Sequence, residues 1–432
     1  MNLTIHRGTN EIGGSCVELR TYNTRILIDF GMPLVDKAGN EFNFKNYEKI
    51  SVDELIKNSI LPDISGLYKP TENNVDAVLI SHAHADHFGL LNYIDSHVKV
   101  FLGAATKDIL ELSGIFTPYN IQLNNYELFE KNKSFNIGDF KITPYWVDHS
   151  AFDSYLFLIE GDEKRIIYSG DFRGHGRKKY GMQKFMDNAP RDIDYLIMEG
   201  TQIGRNQDNS KTEDDIELKF RDRFSEDKVN IVSASGQNVD RIVSIVKACY
   251  KANKTLVVDV YIAKILKTLS KYNKFPYPST SSKIKVLFTK YTPDRLVRLN
   301  RRDILNEFSK SKISRNEINN NPSKYVLIVR PSLLIDLQKM PNLTNGNYIY
   351  SMWQGYKRKP DTKKLLDYLT QKGFTTYDIH TSGHADYNTL QKFANSINPN
   401  NIIPIHTFGK SQYQSIFKHN VILLNDNDMI ML

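Results

Sequence analysis

Ser81-His82-Ala83-His84-Ala85-Asp86-His87 follows directly on the apolar run Val75–Ile80, and its reading decides the rest of the chain. Three of the eleven histidines and one carboxylate fall within six residues at the end of what reads as a buried strand. Imidazole nitrogen and carboxylate oxygen at that density suit Zn²⁺ or a similar borderline metal. His82 and His84 stand two apart and can converge on one ion as the chain leaves the strand. Asp86 and His87 lie beyond the turn and can hold a second ion beside the first. Ala83 and Ala85, alternating with them, leave room for ligands and hydroxide.

Two ions need more ligands, and other strand ends supply them. Asp29 closes Arg25-Ile26-Leu27-Ile28, and Asp148-His149-Ser150 follow Trp146-Val147. Asp171 follows Ile166-Ile167-Tyr168-Ser169-Gly170, and His406 closes Ile402-Ile403-Pro404-Ile405. Up to about residue 205 the chain reads as β-dominated with few long helices. Residues 36–75 look like a polar insertion with one short helix, Val52–Lys57. After 205 the style changes: strands at Val229–Ser233, Thr255–Val260, Tyr325–Val329 and Tyr348–Met352 alternate with amphipathic helices, one of them at Ala263–Ser270. That alternation predicts a parallel sheet. The reading is α/β throughout, with a first domain over 1–204, a second inserted at 205–380, and the first closed by 381–432.

The ordered set of motifs resembles the metallo-β-lactamase fold, and within it the β-CASP nucleases, the group that includes ribonuclease J and the endonuclease of mRNA 3′-end processing. Asp29, then His82, His84, Asp86 and His87, then His149 and Asp171 match the general motifs in order. Glu199 in Leu196-Ile197-Met198-Glu199-Gly200-Thr201, His384 in Thr381-Ser382-Gly383-His384-Ala385-Asp386 and His406 match the three further β-CASP motifs. The acidic motif departs from the family pattern, since Gly200 stands where Ser or Thr usually follows the acid. The resemblance implies an αββα sandwich carrying the metals and an inserted α/β β-CASP domain, with the substrate between them.

It also implies two Zn²⁺ per chain, with Mn²⁺ able to replace zinc. His82, His84 and His149 would hold one ion, Asp86, His87 and His406 the other, and Asp171 would bridge them. Asp29 would orient a ligand histidine from behind. Asp86, His384 and Glu199 are the catalytic set, with His384 as proton donor to the leaving 3′-oxygen and Glu199 holding its imidazole. The implied reaction is hydrolysis of single-stranded RNA to a 5′-phosphate and a 3′-hydroxyl. A histidine at the last motif goes with RNA-directed members, so His406 favours RNA over DNA. A DNA 5′-exonuclease and a non-cleaving RNA-binding subunit are the alternatives, and endonuclease against exonuclease stays open.

Composition agrees with this reading. The 432 residues are 40% hydrophobic and 25% charged, which argues against a disordered or fibrous protein. Two cysteines, Cys16 and Cys249, exclude a disulfide framework and fit a reducing, cytoplasmic setting. The first residues lack a signal-peptide apolar core, and no apolar run approaches the ~18 residues of a membrane span. A net charge of +8 suits a polyanionic partner. Backbone and hydroxyls of Ser233, Ser235 and Gly236, between a strand and a helix, are expected to hold phosphate. Arg295 and Arg298, with Arg301 and Arg302, would form a basic stripe if Asp294–Phe308 is one helix. Arg173, with Arg177, Lys178 and Lys179, would follow the RNA backbone. Trp353 is expected in a core or domain interface, and a homodimer is compatible with the sequence.

Overall fold

The computed structural model describes residues 1–35, 41–43, 46–47, 49–117, 121–205 and 211–432. The chain divides into two compact units, Met1–Asn209 with Gly383–Leu432, and Ser210–Ser382.

The first unit is built on two seven-stranded sheets. One runs Met429–Met431, Asn2–Arg7, Cys16–Arg20, Arg25–Ile28, Ala77–Leu79, Lys99–Gly103, Tyr126–Phe129. Its first four strands pair antiparallel and the later ones parallel. The other runs Asn420–Val421, Asn401–Ile405, Tyr195–Glu199, Lys164–Tyr168, Tyr155–Gly161, Phe140–Trp146, Phe135–Ile137. Strand alternation sends Leu3, Ile5, Val17, Leu19, Ile26 and Ile28 from the first sheet, and Ile142, Phe157, Ile159 and Ile166 from the second, into one core. Residues of the opposite parity on the second sheet, Leu156, Leu158, Ile167 and Leu196, are buried too. They pack with Met182 and Phe185 of helix Lys179–Asp187 and Leu390 and Phe393 of helix Tyr387–Ile397. Chain entry and exit therefore lie in one sandwich, and Asn401–Ile405 joins its sheet between Tyr195–Glu199 and the edge strand Asn420–Val421 only after the second unit has been passed in sequence.

Helix Ala104–Phe116, thirteen residues long, is one of the few long helices in this β-dominated part of the chain. Its N-cap is Gly103, which offers no side chain. The missing acceptor comes from far along the sequence: Asp153 Oδ2 accepts the Thr106 N–H at 2.9 Å. No local start signal exists to be read.

Sheet one also contains a buried charge. Glu18 on Cys16–Arg20 accepts from Arg25 at 2.7 and 2.9 Å and pairs with His6 at 2.8 Å. Burial opposes ionisation, but the His6 and Arg25 hydrogen bonds outweigh it and bring the Glu18 carboxyl down to about 2. A depressed carboxylate stabilises the fold above its ordinary value near 4.5, and that contribution is lost as pH falls towards 2. Glu18→Gln should cost about 3 kcal/mol at neutral pH, lowering Tm by roughly 6–12 °C. The deficit should shrink between about pH 4.5 and pH 2; an unchanged melting curve at pH 7 would contradict this.

In the second unit all seven strands are parallel, in the order Lys312–Ile313, Ile284–Leu287, Thr255–Asp259, Tyr325–Val329, Asn230–Ser233, Asn347–Tyr350, Thr375–Asp378. The helix expected over Ala263–Ser270 starts earlier, at Val260, because Asp259 caps it by accepting the Ile262 N–H at 2.9 Å. Asp294–Phe308 is not one helix. Helices Thr292–Arg298 and Arg302–Glu307 are separated by Asn300 in the left-handed region, φ +54°. The basic stripe is broken with it, and Arg301 turns to Asp303 at 3.0 Å.

Candidate metal centre

The chemistry-bearing residues of the first unit come from the ends of its strands. Asp29 follows Arg25–Ile28, Ser81 and His82 follow Ala77–Leu79, and His149 follows Phe140–Trp146. Asp171 follows Lys164–Tyr168, Glu199 ends its own strand, and His406 follows Asn401–Ile405. Asp29 and His406 both sit in the left-handed region, at φ +58° and +53°, an unusual conformation that turns each side chain abruptly out of its strand. Asp86 and His87 lie on the single-turn helix Ala85–Phe88, held against the segment after Asp29. Phe30 N–H donates to the His87 carbonyl at 2.8 Å and Met32 N–H to that of Ala85 at 3.0 Å. Gly31 permits this approach, since a Cβ there would lie 1.7 Å from the Asp86 carbonyl oxygen.

Two sets of ligand atoms result, sharing a border. His84 Nδ1 lies 3.2 Å from His82 Nε2 and 3.1 Å from His149 Nε2. Nitrogens bound at ~2.0–2.1 Å to one tetrahedral ion stand about 3.3 Å apart, so this set matches a zinc triad. Burial holds His82 and His149 well below the ordinary imidazole value and brings His84 down to about 4. All three offer lone pairs at neutral pH. In the second set Asp86 Oδ2 lies 3.3 Å from His406 Nε2, and His87 Nε2 is 3.1 Å from Asp171 Oδ2. The same Asp171 oxygen is 3.8 Å from His82 Nε2, so it borders both sets. Asp171 Oδ1 is buried without a hydrogen-bond partner among the described residues. A buried carboxylate oxygen of that kind is what a cation satisfies. The residues fit two metal ions, with a mixed nitrogen and oxygen donor set suited to Zn²⁺ and tolerant of Mn²⁺.

Behind the ligands, hydroxyls and one carboxylate fix the imidazole tautomers. Asp29 is fully buried and accepts from His87 Nδ1, Tyr168 OH, Ser81 N–H and Ser81 Oγ at 2.7–2.8 Å. Ser81 Oγ, its proton committed to Asp29, can accept from His82 Nδ1 at 3.0 Å. Asp29 thus turns Nε2 of His87 directly, and of His82 through Ser81, towards the ligand cluster. Thr201 performs the same service for His406 Nδ1 at 2.8 Å while donating to the His406 carbonyl at 3.3 Å. Glu199 is buried, accepts from Phe172 N–H at 3.0 Å and Thr201 N–H at 3.1 Å, and lies 3.3 Å from His384 Nδ1. Burial would lower the His384 pKa, but the Glu199 and Asp171 carboxylates raise it above the ordinary value.

His87 differs from the triad. Burial again opposes its charge, yet Asp171 and Asp29 on either side hold its pKa well above the ordinary value. Without metal it carries a proton at neutral pH. An ion entering the Asp86–His87–His406 set must displace that proton, whereas the neutral triad has none to lose. One of two zinc-binding steps should therefore weaken about tenfold per pH unit on acidification near neutrality, and the other should stay flat. Calorimetry in buffers of different ionisation enthalpy reads this directly; equal proton release in both steps would refute it.

The structure brings together His82, His84, Asp86, His87, His149, Asp171, Glu199, His384 and His406, with Asp29 behind them. Other expectations need correction. Arg173 is fully buried and paired with Asp148 at 3.4 Å, so it presents nothing to a nucleic acid. Lys178 is committed to the His149 and Ala151 carbonyls. Ser233 is buried with its hydroxyl 2.8 Å from Tyr348 OH, so it is not available for phosphate. Ser235 is exposed and Gly236 is buried against Ile262 in the same loop. Arg298 is exposed and Arg295 half-buried on their short helix. Trp353 is 49% exposed in its unit rather than part of its core. Ser81, Tyr168 and Thr201 were missed as orienting groups. Ser81 adjoins a ligand and could have been suspected; Thr201 meets a histidine 205 residues away and could not.

Residues 62–216 match the beta-lactamase superfamily domain, and residues 374–412 match the RNA specificity domain of Zn-dependent metallo-hydrolases. These matches give the chain a metallo-β-lactamase domain together with that specificity domain, a pairing consistent with a β-CASP nuclease. More particularly, the chain is similar to the ribonuclease J of Helicobacter pylori, 22% identical over 98% of this chain and 59% of that one. It is also 22% identical to the ribonuclease J of Mycoplasma pneumoniae, over 92% of this chain and 66% of that one. An RNase J-like protein of Methanocaldococcus jannaschii is 29% identical over 46% of this chain and 42% of its own. This chain thus spans 59–66% of the length of those two ribonucleases J. A crystal structure of a protein of unknown function from Enterococcus faecalis shares the fold, with a TM-score of 0.77 at 23% identity over 100% of this chain and 99% of that one.

Proposed function

We propose that this chain is a metal-dependent ribonuclease that hydrolyses phosphodiester bonds of single-stranded RNA in the cytoplasm, leaving 5′-phosphate and 3′-hydroxyl ends. The observation that carries the reading is Asp171, buried between a neutral histidine triad and the Asp86–His87–His406 set. When bound, two Zn²⁺ ions, or Mn²⁺ in their place, would supply a hydroxide near neutral pH and offset charge on the attacked phosphate. His82, His84 and His149 would hold the first ion, Asp86, His87 and His406 the second, with Asp171 spanning both. Asp29 keeps two of these imidazoles in the binding tautomer, directly or through Ser81, and Thr201 a third. His384, kept protonated by Glu199, would pass its proton to the departing 3′-oxygen. The named ribonucleases J and the RNA specificity match support RNA as substrate, and the buried free thiols Cys16 and Cys249 fit a reducing compartment. Among the described residues no helix is long and apolar enough to cross a membrane.

The deciding experiment offers zinc-loaded protein a 3′-labelled single-stranded RNA and the DNA of identical sequence. RNA cut and DNA spared is the expected result. Shortening from the 5′ end would then define an exonuclease, and discrete internal products an endonuclease. DNA cut with RNA intact would overturn the substrate assignment. Neither cut, with two ions bound, would overturn catalysis in favour of binding.

A further inference from the structure

The chain after Asp171 turns back and grips the residues around His149. Arg173 and Asp148 are both fully buried, with Arg173 Nε 3.4 Å from Asp148 Oδ1. The Arg173 backbone N–H donates to the Asp148 carbonyl at 2.6 Å, and the Gly176 N–H to Asp148 Oδ2 at 2.7 Å. Lys178 Nζ donates to the His149 carbonyl at 2.8 Å and the Ala151 carbonyl at 3.0 Å. Its ammonium also lies over the Trp146 and Phe152 rings, 5.6 and 5.9 Å from their centres. Gly176 is required by contact, because a Cβ there would lie 2.3 Å from Asp148 Oδ1. Residues 173–178 thus hold both carboxylate oxygens and three carbonyls of the 148–151 segment.

A buried ion pair is a poor way to gain stability, since apolar residues of similar volume often do as well or better. Its position suggests another use. His82, His87 and His406 each have the ring nitrogen away from the cluster oriented, by Ser81, Asp29 and Thr201. His149 does not: its Nδ1 is buried without a hydrogen-bond partner among the described residues. With no described polar group orienting that ring through its far nitrogen, its placement depends on its backbone, and the backbone is what the 173–178 segment grips. We infer that Asp148, Arg173 and Lys178 are positioning residues that hold His149 through its main chain and thereby set the metal affinity of the His82–His84–His149 triad separately from the other set. This rests on the metal-binding part of the proposed function, not on the identity of its substrate.

The test measures zinc binding by competition with a chromophoric chelator, together with the visible spectrum of the cobalt-substituted protein. Lys178→Met removes two carbonyl contacts from a half-buried side chain. The double substitution Arg173→Met with Asp148→Asn removes the buried pair without leaving a lone charge. His84→Ala and His406→Ala supply reference spectra for loss of each ligand set, and Glu18→Gln supplies a destabilised protein with its ligands untouched. In both test variants one zinc should bind about 10–100-fold more weakly, the other should keep its wild-type affinity, and the cobalt spectrum should approach that of His84→Ala. Two ions bound as in wild type by folded Lys178→Met would overturn the inference, as would equal weakening of both. Should the double variant not melt cooperatively, Lys178→Met decides alone. A wild-type chain that binds no zinc would instead refute the metal reading itself.

Discussion

Asp171→Ala is expected to reduce cleavage of single-stranded RNA by about 10³-fold or more, because stabilisation of transition-state charge by metal is worth several kcal/mol and each ~1.4 kcal/mol is tenfold. Asp171 Oδ2 stands 3.1 Å from His87 Nε2 and 3.8 Å from His82 Nε2, so one carboxylate borders both ligand sets. Without it the two sets remain, but no anion lies between them to hold two cations close together. The Asp171 carboxyl already lies far below the ordinary range: burial opposes its charge, and the imidazoles of His406, His87 and His384 overcome that cost. A carboxyl held down in this way is a carboxylate at neutral pH, ready for cations without first losing a proton. Thermal melting separates the effect from simple misfolding. A ligand at one hundred times its Kd stabilises by about 2.7 kcal/mol, so zinc should raise the wild-type Tm by several degrees. In Asp171→Ala that rise should fall by at least half, while the metal-free protein still melts cooperatively. Undiminished RNA cleavage by Asp171→Ala would end the two-ion reading.

Candidate ligand residues were legible where a donor adjoins a recognisable apolar run at a strand end, while their division into two sets followed from the resemblance. Asp29, His82, His149, Asp171 and His406 all show this pattern in one dimension. What failed was any inference that required knowing where a side chain points. Arg173 lies two residues from Asp171 and looked available to RNA, yet it turns inward to Asp148. Ser233 ends its strand next to a glycine loop, yet Tyr348 on the adjacent strand takes its hydroxyl. The arginines at 295, 298 and 301 have helical spacing, but the helix stops at Arg298 and Asn300 reverses the chain. In each instance a partner remote in sequence, or one local backbone conformation, decides the outcome. Thr201 shows the converse: an ordinary residue gains a role only because Tyr195–Glu199 and Asn401–Ile405 are parallel neighbours.

His384→Ala should lower kcat by about 10²–10⁴-fold, the usual worth of a positioned acid, while leaving zinc content unchanged. Its Nδ1 sits 3.3 Å from Glu199 Oε2 and 3.6 Å from Asp171 Oδ2, and its side chain is 21% exposed, the access a proton donor to substrate requires. The sign of the pH dependence follows from its raised pKa. The acid form persists to higher pH than an ordinary imidazole, and activity should fall as pH rises through that value. Glu199→Gln removes the first charge that raises the pKa, so the alkaline limb should move to lower pH; His384→Ala should abolish the limb. Glu199 also accepts from Phe172 and Thr201, so its variant is informative only if zinc binding and melting are retained. The decisive comparison uses RNA with a 3′-bridging sulfur at the scissile bond. A thiolate leaves without a proton, so His384→Ala should approach the wild-type rate on that substrate alone. An equal deficit on oxygen and sulfur substrates would show that His384 is not the acid. Loss of zinc from the variant would instead make it a ligand, joining Asp171, Glu199 and His406, whose ligand atoms lie within 4.8 Å of its own.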